Sequence, residues 1–343
     1  MEYLLDPGVT FLNHGSYGAC PAPVFERYQE LQRELERRPV EFLARRFDGL
    51  LDEARGALAD FVGARTDDLV FVPNATAGLN AVIRSLPLEP GDEVVTTAHE
   101  YGAVTRTWQF AGATLVVVEP HEVAGAIGPR TKAVSVSHIT SPTALVLPVE
   151  EICAAAREAG VLAIVDGAHA PGQLTLDLEA LGADVYAGNC HKWLSAPKGA
   201  GFLWARPEHH GWIEPLVVSW GYDEGFGRRH GWQGTRDPAA ALAVPAAIAA
   251  LGQVDLERCR RLAASFHDRL PPAGATPAPQ MWATEVATDD PDGLQRRLYD
   301  EHRIEVVVRE WEGRSLLRVS IAPYNDEEDV ERLLGALDEL RPA

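Results

Sequence analysis

The chain has 343 residues, is 46% hydrophobic and carries 31 basic against 50 acidic side chains, a formal charge of -19. That length fills one large and one small core, and the acidic balance would repel a phosphate backbone, so nucleic acid is not an expected partner. No apolar run approaches the ~20 residues that span a bilayer, and the opening MEYLLDPGVTFLNHG lacks the basic segment and apolar core of an export signal, so a cytoplasmic protein with no membrane partner is expected.

The expected organisation is an N-terminal arm (1–20), N-terminal helices (21–63), a large domain (64–235) and a small C-terminal domain (236–343). The arm contains Asn13-His14-Gly15-Ser16-Tyr17-Gly18. Pro21 and Pro23 then open a helix whose apolar positions run through Phe25, Tyr28, Leu31 and Leu35 until Pro39 stops it. A second helix from about residue 40 carries Phe42, Leu43, Phe47, Leu50, Leu51, Ala54, Leu58 and Phe61 at three- and four-residue spacing and ends at Gly63.

From there short β-rich runs at 69–72, 93–97, 114–118, 132–137, 162–165, 184–187 and 201–205 alternate with helices at 75–85, 103–111 and 149–159. The alternation predicts an α/β fold with a mainly parallel, doubly wound seven-stranded sheet covered on both faces. A Trp- and Gly-rich connection, 211–234, leads to a long Ala-rich helix over 238–251. Helices at 256–270, 292–301 and 326–340 then alternate with strands at 283–287, 305–309 and 315–321, which reads as a smaller α+β domain. Cys20, Cys153, Cys190 and Cys259 have no CxxC spacing, so four reduced thiols are expected rather than a zinc site or disulfide framework.

The polar residues just past the β-rich runs carry the chemistry. Asn74-Ala75-Thr76 follows the first, Tyr101 the second, 138–143 the fourth, Asp166 and His169 the fifth, and 189–192 the sixth. In an open parallel sheet, ligands bind outside the carboxyl ends of the strands, so these five groups converge on one rim. Asn74-Ala75-Thr76 opens a helix, where free N–H groups, the positive dipole end and the Thr76 hydroxyl form a phosphate cradle. There is no GxxxxGK[ST] and no GxGxxG after a strand, so the phosphate belongs to neither a nucleoside triphosphate nor a dinucleotide. A metal hydrolase is disfavoured because no HExxH occurs.

A lysine beside a phosphate cradle, a carboxylate at the neighbouring strand end and an aromatic ring together fit pyridoxal 5'-phosphate. Lys192 would form the Schiff base, Asp166 would keep the pyridine nitrogen protonated, His169 would bond the ring oxygen and Tyr101 would stack on the ring.

VDGAHAPG followed by GNCHKWLSAPKGAGFL resembles the class V aminotransferase family of fold-type I pyridoxal-phosphate enzymes, and within it the isopenicillin N epimerase-like branch. FLNHGSYGACP, PNATAGLN, HEYGAV, SHITSPTALVLPV, WQGTRD and LLRVSIAPYND look like further family blocks in family order. The resemblance implies Lys192 as the lysine bonded to the cofactor, Asp166 on its ring nitrogen and His169 near its ring oxygen. Asn74, Ala75, Thr76, Ser141 and His191 would complete the cofactor site. Gly234 and Thr235 would reach the phosphate from a second subunit, which implies a homodimer with shared active sites. Arg318 matches the arginine that grips a substrate α-carboxylate, and Asn13 and His14 resemble the arm that enters the substrate pocket.

The resemblance therefore implies an enzyme acting at the α-carbon of a small amino-acid substrate, with epimerisation as the leading reaction. A carbon–sulfur β-lyase and an aminotransferase are the rivals, and a non-catalytic relative is disfavoured by the intact Asp166, His169, Lys192 and Arg318 set. A persulfide-forming desulfurase is disfavoured too, because 303–314 contains no cysteine and Ser141 stands where desulfurases have asparagine.

Overall fold

Seven short strands rich in valine and aromatic residues lie side by side in the computed structural model, which describes residues 1–340. In chain order they are β1 (Leu69–Val72), β2 (Glu93–Thr97), β3 (Thr114–Val118), β4 (Thr131–Ser137), β5 (Leu162–Gly167), β6 (Val185–Asn189) and β7 (Gly201–Ala205). Their spatial order is β1-β7-β6-β5-β4-β2-β3. β7 runs antiparallel to both β1 and β6, while the other neighbours are parallel. The α/β class and the mainly parallel sheet are as expected.

Alternation within the strands explains why both faces are covered. Leu69, Phe71, Val95, Val134, Val136, Val165, Tyr186, Phe202 and Trp204 point into one core, shared with helices Ala22–Arg37, Phe47–Val62 and Val149–Glu158. Val70, Val72, Val94, Ala133, Ile164, Val185 and Leu203 point into the other, against Leu79, Val82 and Ile83 of helix Ala75–Ser85 and Val104 and Trp108 of helix Gly102–Phe110.

A third core fills the C-terminal part, where β8 (Met281–Glu285), β9 (Val307–Trp311) and β10 (Arg314–Ser320) form an antiparallel sheet in the order β9-β10-β8. Trp282, Leu317 and Val319 pack there against Cys259, Leu298 and Leu333 from the helices. The arm joins this part: Thr10–Phe11 pairs in parallel with Ile304–Glu305, and Leu12 is buried in the same core.

Several elements differ from expectation. The helix expected from residue 40 starts as a turn at Pro39–Glu41 and one π-helical stretch, Phe42–Arg46, before the α-helix Phe47–Val62. The Ala-rich helix is two helices, Ala239–Leu242 and Val244–Leu251, because Pro245 has no N–H for the Ala241 carbonyl and its ring clashes with that carbonyl. This pair packs on helices Ala22–Arg37 and Phe47–Val62 in the large sheet's core, although it was expected with the C-terminal domain. The last three residues of that expected domain lie outside the described residues. Among those residues no single helix is long and apolar enough to cross a membrane, though the bent pair Ala239–Leu251 and Leu256–Ser265 is by length and composition.

Candidate active site

The carboxyl ends of β1, β2, β4, β5 and β6 open on a cavity of about 350 Å³. Asn74, Ala75, Thr76, Tyr101, Ser141, Asp166, His169, His191 and Lys192 all line it, as does Arg318 from the C-terminal sheet. Two of the strands run further than the sequence indicated. Asp166 lies inside β5, paired with Ser137 of β4, and Asn189 closes β6 opposite Gly201. These ladders fix the backbone under the site, so its side chains do not depend on a loose loop for their position.

His169 stands between Trp193 and Lys192, and its neighbours determine its proton. The Trp193 indole N–H can only donate, and it lies 3.3 Å from Nδ1. Nδ1 therefore keeps its lone pair, and the neutral ring carries its hydrogen on Nε2. Lys192 Nζ is 3.0 Å from that Nε2–H, a contact that requires a lone pair on the amine. Burial, reinforced by the Arg318 charge, lowers the Lys192 ammonium to about 7. Burial and the same cations hold His169 well below its ordinary range. Lys192 is thus partly free base at neutral pH beside a neutral histidine.

Asp166 is buried, and its Oδ1 accepts the Ala168 N–H at 2.9 Å. Burial raises its carboxyl, with the Ala168 N–H and Lys192 acting the other way. Such a group binds a positive partner strongly, since little water competes.

The phosphate cradle is narrower than the sequence indicated. Asn189 Oδ1 already accepts the Ala75 N–H at 2.8 Å, and Asn74 Oδ1 caps the helix through the Ala77 N–H at 2.9 Å. Among the described residues, the Thr76 N–H and hydroxyl have no hydrogen-bond partner, so they are the groups left for an anion. His191 Nδ1 donates to the Ala200 carbonyl at 3.2 Å, and burial lowers this histidine to about 4.

Arg318 lies on β10, the central strand of its sheet, and crosses to the cavity. Its Nη1 donates to the Ser141 carbonyl at 2.7 Å and to Ser141 Oγ at 3.3 Å, and its Nη2 to Ser16 Oγ at 3.0 Å. Burial lowers it to about 9, and its buried Nε has no partner among the described residues. A buried guanidinium held only by neutral oxygens is ready to take a carboxylate.

Asn13 and His14 do not enter the cavity; Gly15, Ser16 and Tyr17 do. His14 is buried behind Lys192, with Nε2 donating to the Lys192 carbonyl at 2.9 Å and Nδ1 accepting from the Tyr324 hydroxyl, also at 2.9 Å. Asn13 Oδ1 accepts from Ser16 Oγ at 2.6 Å, which turns that oxygen toward Arg318. The physical reason is the short helix His14–Tyr17, which turns successive side chains of the expected extended arm in different directions. Sequence reasoning missed Ser16 and Trp193, although both sit beside residues it singled out.

Gly234 and Thr235 are not brought to this cavity by their own chain. They line a separate cavity of about 1050 Å³, with Phe47 and Leu51 of helix Phe47–Val62 and with Trp220 and Trp232 of the connection. None of the four cysteines lines the Lys192 cavity, and burial raises the thiol of each. No thiolate nucleophile is therefore at hand.

These residues fit pyridoxal phosphate: a partly deprotonated lysine, a buried acid on the adjacent strand, unpaired anion donors at Thr76, and a half-exposed Tyr101 on the cavity wall.

The family described as Aminotransferase class-V matches residues 18–271. An isopenicillin N epimerase of Amycolatopsis lactamdurans is 40% identical, over 98% of this chain and 96% of that protein. An L-cysteine desulfhydrase of Arabidopsis thaliana is 27% identical, over 97% and 88%. Among solved structures, the complex of the cystine C-S lyase C-DES with its product cysteine persulfide superposes with a TM-score of 0.85 at 24% identity, covering 98% of this chain and 99% of the other. That last likeness speaks for the fold.

Proposed function

The chain belongs to the class V aminotransferase family of pyridoxal-phosphate enzymes, and from that premise we propose that it epimerises an amino acid by moving the proton on its α-carbon. The observation that carries this reading is the Lys192 amine, kept partly unprotonated by burial and met by the Nε2–H of a histidine whose tautomer Trp193 fixes. Epimerisation also draws on the likeness to isopenicillin N epimerase over nearly the whole chain.

Bound in the cavity, pyridoxal phosphate supplies an electron-withdrawing ring that stabilises negative charge developing at the α-carbon. Asp166 would hold the ring nitrogen, His169 the ring oxygen and Tyr101 the ring face, with Ser141 beside them. The Thr76 N–H and hydroxyl would take the phosphate, joined by the His191 Nε2 once the anion's charge favours a protonated ring, and Asn74 and Ala75 would shape its turn. Arg318 would grip the α-carboxylate with both arms of its fork, oriented by Ser16 and Ser141. Lys192 takes the α-proton because its amine titrates near the working pH. Return of a proton from the other side needs a second acid, for which the Tyr101 hydroxyl is our candidate. His14 is excluded from that task by its bonds to the Lys192 carbonyl and Tyr324.

Gly234 and Thr235 of the partner subunit would complete the phosphate site in a homodimer, which accounts for their distance from Lys192 within one chain. The four unpaired thiols fit a cytoplasmic location. The second reading is β-elimination from a sulfur-bearing amino acid, favoured by the likeness to L-cysteine desulfhydrase.

The test is incubation of the yellow holoenzyme with an amino-acid panel in heavy water. Racemised product carrying α-deuterium, lost in Lys192→Ala, is the expected result. Pyruvate release without racemisation would replace this reading with the lyase, and a protein that takes up no pyridoxal phosphate would remove both.

A further inference from the structure

Arg309 stands at the cavity with no task in the reading above. It lies on the edge strand β9, next to the β10 strand that carries Arg318. In their register Arg309 pairs with Leu316, and Arg318 pairs with Val307. The two arginines are therefore diagonal neighbours on one face of the sheet, about 7–8 Å apart at the backbone, within reach of one bound molecule. They are close enough that the Arg309 charge adds to burial in lowering Arg318.

The neighbouring cations are already engaged. Arg314 lies over the Trp311 ring, 4.9 Å from its centre, and Arg318 is held by Ser141 and Ser16. Arg309 is exposed, and its guanidinium has no hydrogen bond or ion pair among the described residues. Its place is nevertheless fixed. Two residues further on, Trp311 donates its indole N–H to the Ala98 carbonyl at 3.3 Å and packs its ring 4.7 Å from that of His99. These contacts hold the end of the β9–β10 hairpin against the loop that carries Tyr101.

Charge sharpens the point. Among the described residues the cavity is lined by Lys192, Arg309 and Arg318 against a single carboxylate, Asp166, in a chain whose formal charge is -19. Two guanidiniums stand on one wall of the cavity, and a single α-carboxylate held by Arg318 leaves Arg309 without a partner of its own.

We propose that Arg309 forms a second anion subsite, so that the preferred substrate is an amino acid bearing a further carboxylate a few bonds beyond the α-carboxylate held by Arg318. This rests on the assignment of Arg318 in the preceding section and adds the substrate class. A guanidinium offers a planar pair of donors to a carboxylate, and a charge-assisted bond at a partly exposed site corresponds to roughly tenfold or more in affinity.

The test measures binding by calorimetry, with the reconstituted holoenzyme titrated with glutarate and with its monoamide, which has the same length and one carboxylate fewer. Glutarate should bind about tenfold more tightly to the wild type. Arg309→Gln should erase the difference and Arg309→Lys should keep part of it. Both changes fall on an exposed edge-strand position, and a matching melting temperature confirms that each variant is folded. Equal affinity of the two ligands in the wild type, or an undiminished preference in Arg309→Gln, overturns the subsite. Preferential glutarate binding that depends on Arg309, in a holoenzyme that exchanges no α-proton, supports the subsite while overturning epimerisation.

Discussion

Glu100 precedes Tyr101 in the chain, and its buried carboxyl is hydrogen-bonded by Ser137 Oγ at 2.6 Å and Thr97 Oγ1 at 2.8 Å. No ion pair among the described residues offsets it, and burial, with the Asp166 charge adding to it, raises it to about 7. Its unfolded value is near 4.5, so between the two the native state binds more protons than the unfolded chain. Stability contributed here is present below about pH 4.5 and is lost as pH rises through 7, by ~3 kcal/mol at most. Glu100→Gln should therefore gain stability over the wild type at pH 8 and lose that advantage at pH 5, as read from urea midpoints of the apoprotein. A difference that does not change with pH would mean that the carboxyl ionises normally. At this scale the sequence was informative where a residue's task follows from its place at a strand end, as for Lys192 and Asp166. It was silent on Glu100, Ser16 and Trp193, whose roles come from partners brought close only by folding: Ser16 meets Arg318 across 302 positions of sequence.

The arm shows how an element can be recognised while its orientation is not. Its composition marked it for the site, yet the short helix His14–Tyr17 sends Ser16 to Arg318 and turns His14 back to the Lys192 carbonyl. Gly18 makes the close approach of this arm feasible. Its φ is +69°, and a Cβ there would lie 1.9 Å from the His191 carbonyl oxygen. Neither His191 nor the arm can yield without moving Lys192 or breaking the arm's bonds. Gly18→Ala should cost roughly 3 kcal/mol or more, from backbone strain and the clash together, and should weaken pyridoxal-phosphate uptake. Gly112→Ala is the comparison: φ is +90° but nothing stands within 4 Å, so only the ~1–2 kcal/mol of left-handed strain applies. Thermal melts of the two variants separate the terms, and equal losses would mean that the contact with His191 does not hold the arm. The π-helical stretch at Phe42–Arg46 left no mark in the spacing, because one wider turn changes the apolar period too little to detect. The break at Ala243, by contrast, was there to read in Pro245.

Across the whole molecule, buried neutral histidines dominate the response to acid. Burial lowers His14 in the arm, His138 beneath the sheet, His191 at the cavity and His230 in the connection to about 4 each, and His169 well below its usual range. In the unfolded chain each titrates near 6.5, so between about 4 and 6.5 the unfolded state binds more protons. Stability is therefore full above that window and is lost as pH falls through it, by up to ~1.4 kcal/mol per pH unit for each group. Glu100 acts in the opposite direction over much of the same range, as do the raised carboxyls of Asp166 and Asp68 at its acid end, but they are fewer than the five rings. The net effect is a steep acid transition that precedes protonation of most surface carboxylates. The urea midpoint of the apoprotein should fall sharply between pH 7 and pH 5, and proton uptake on unfolding at pH 5.5 should approach one per histidine of this set, less the proton that Glu100 gives up. His14→Gln would remove one of these protons, while its amide still donates to the Lys192 carbonyl, so its acid slope should be shallower than that of the wild type. A flat midpoint over this range would show that water reaches these rings in the native state.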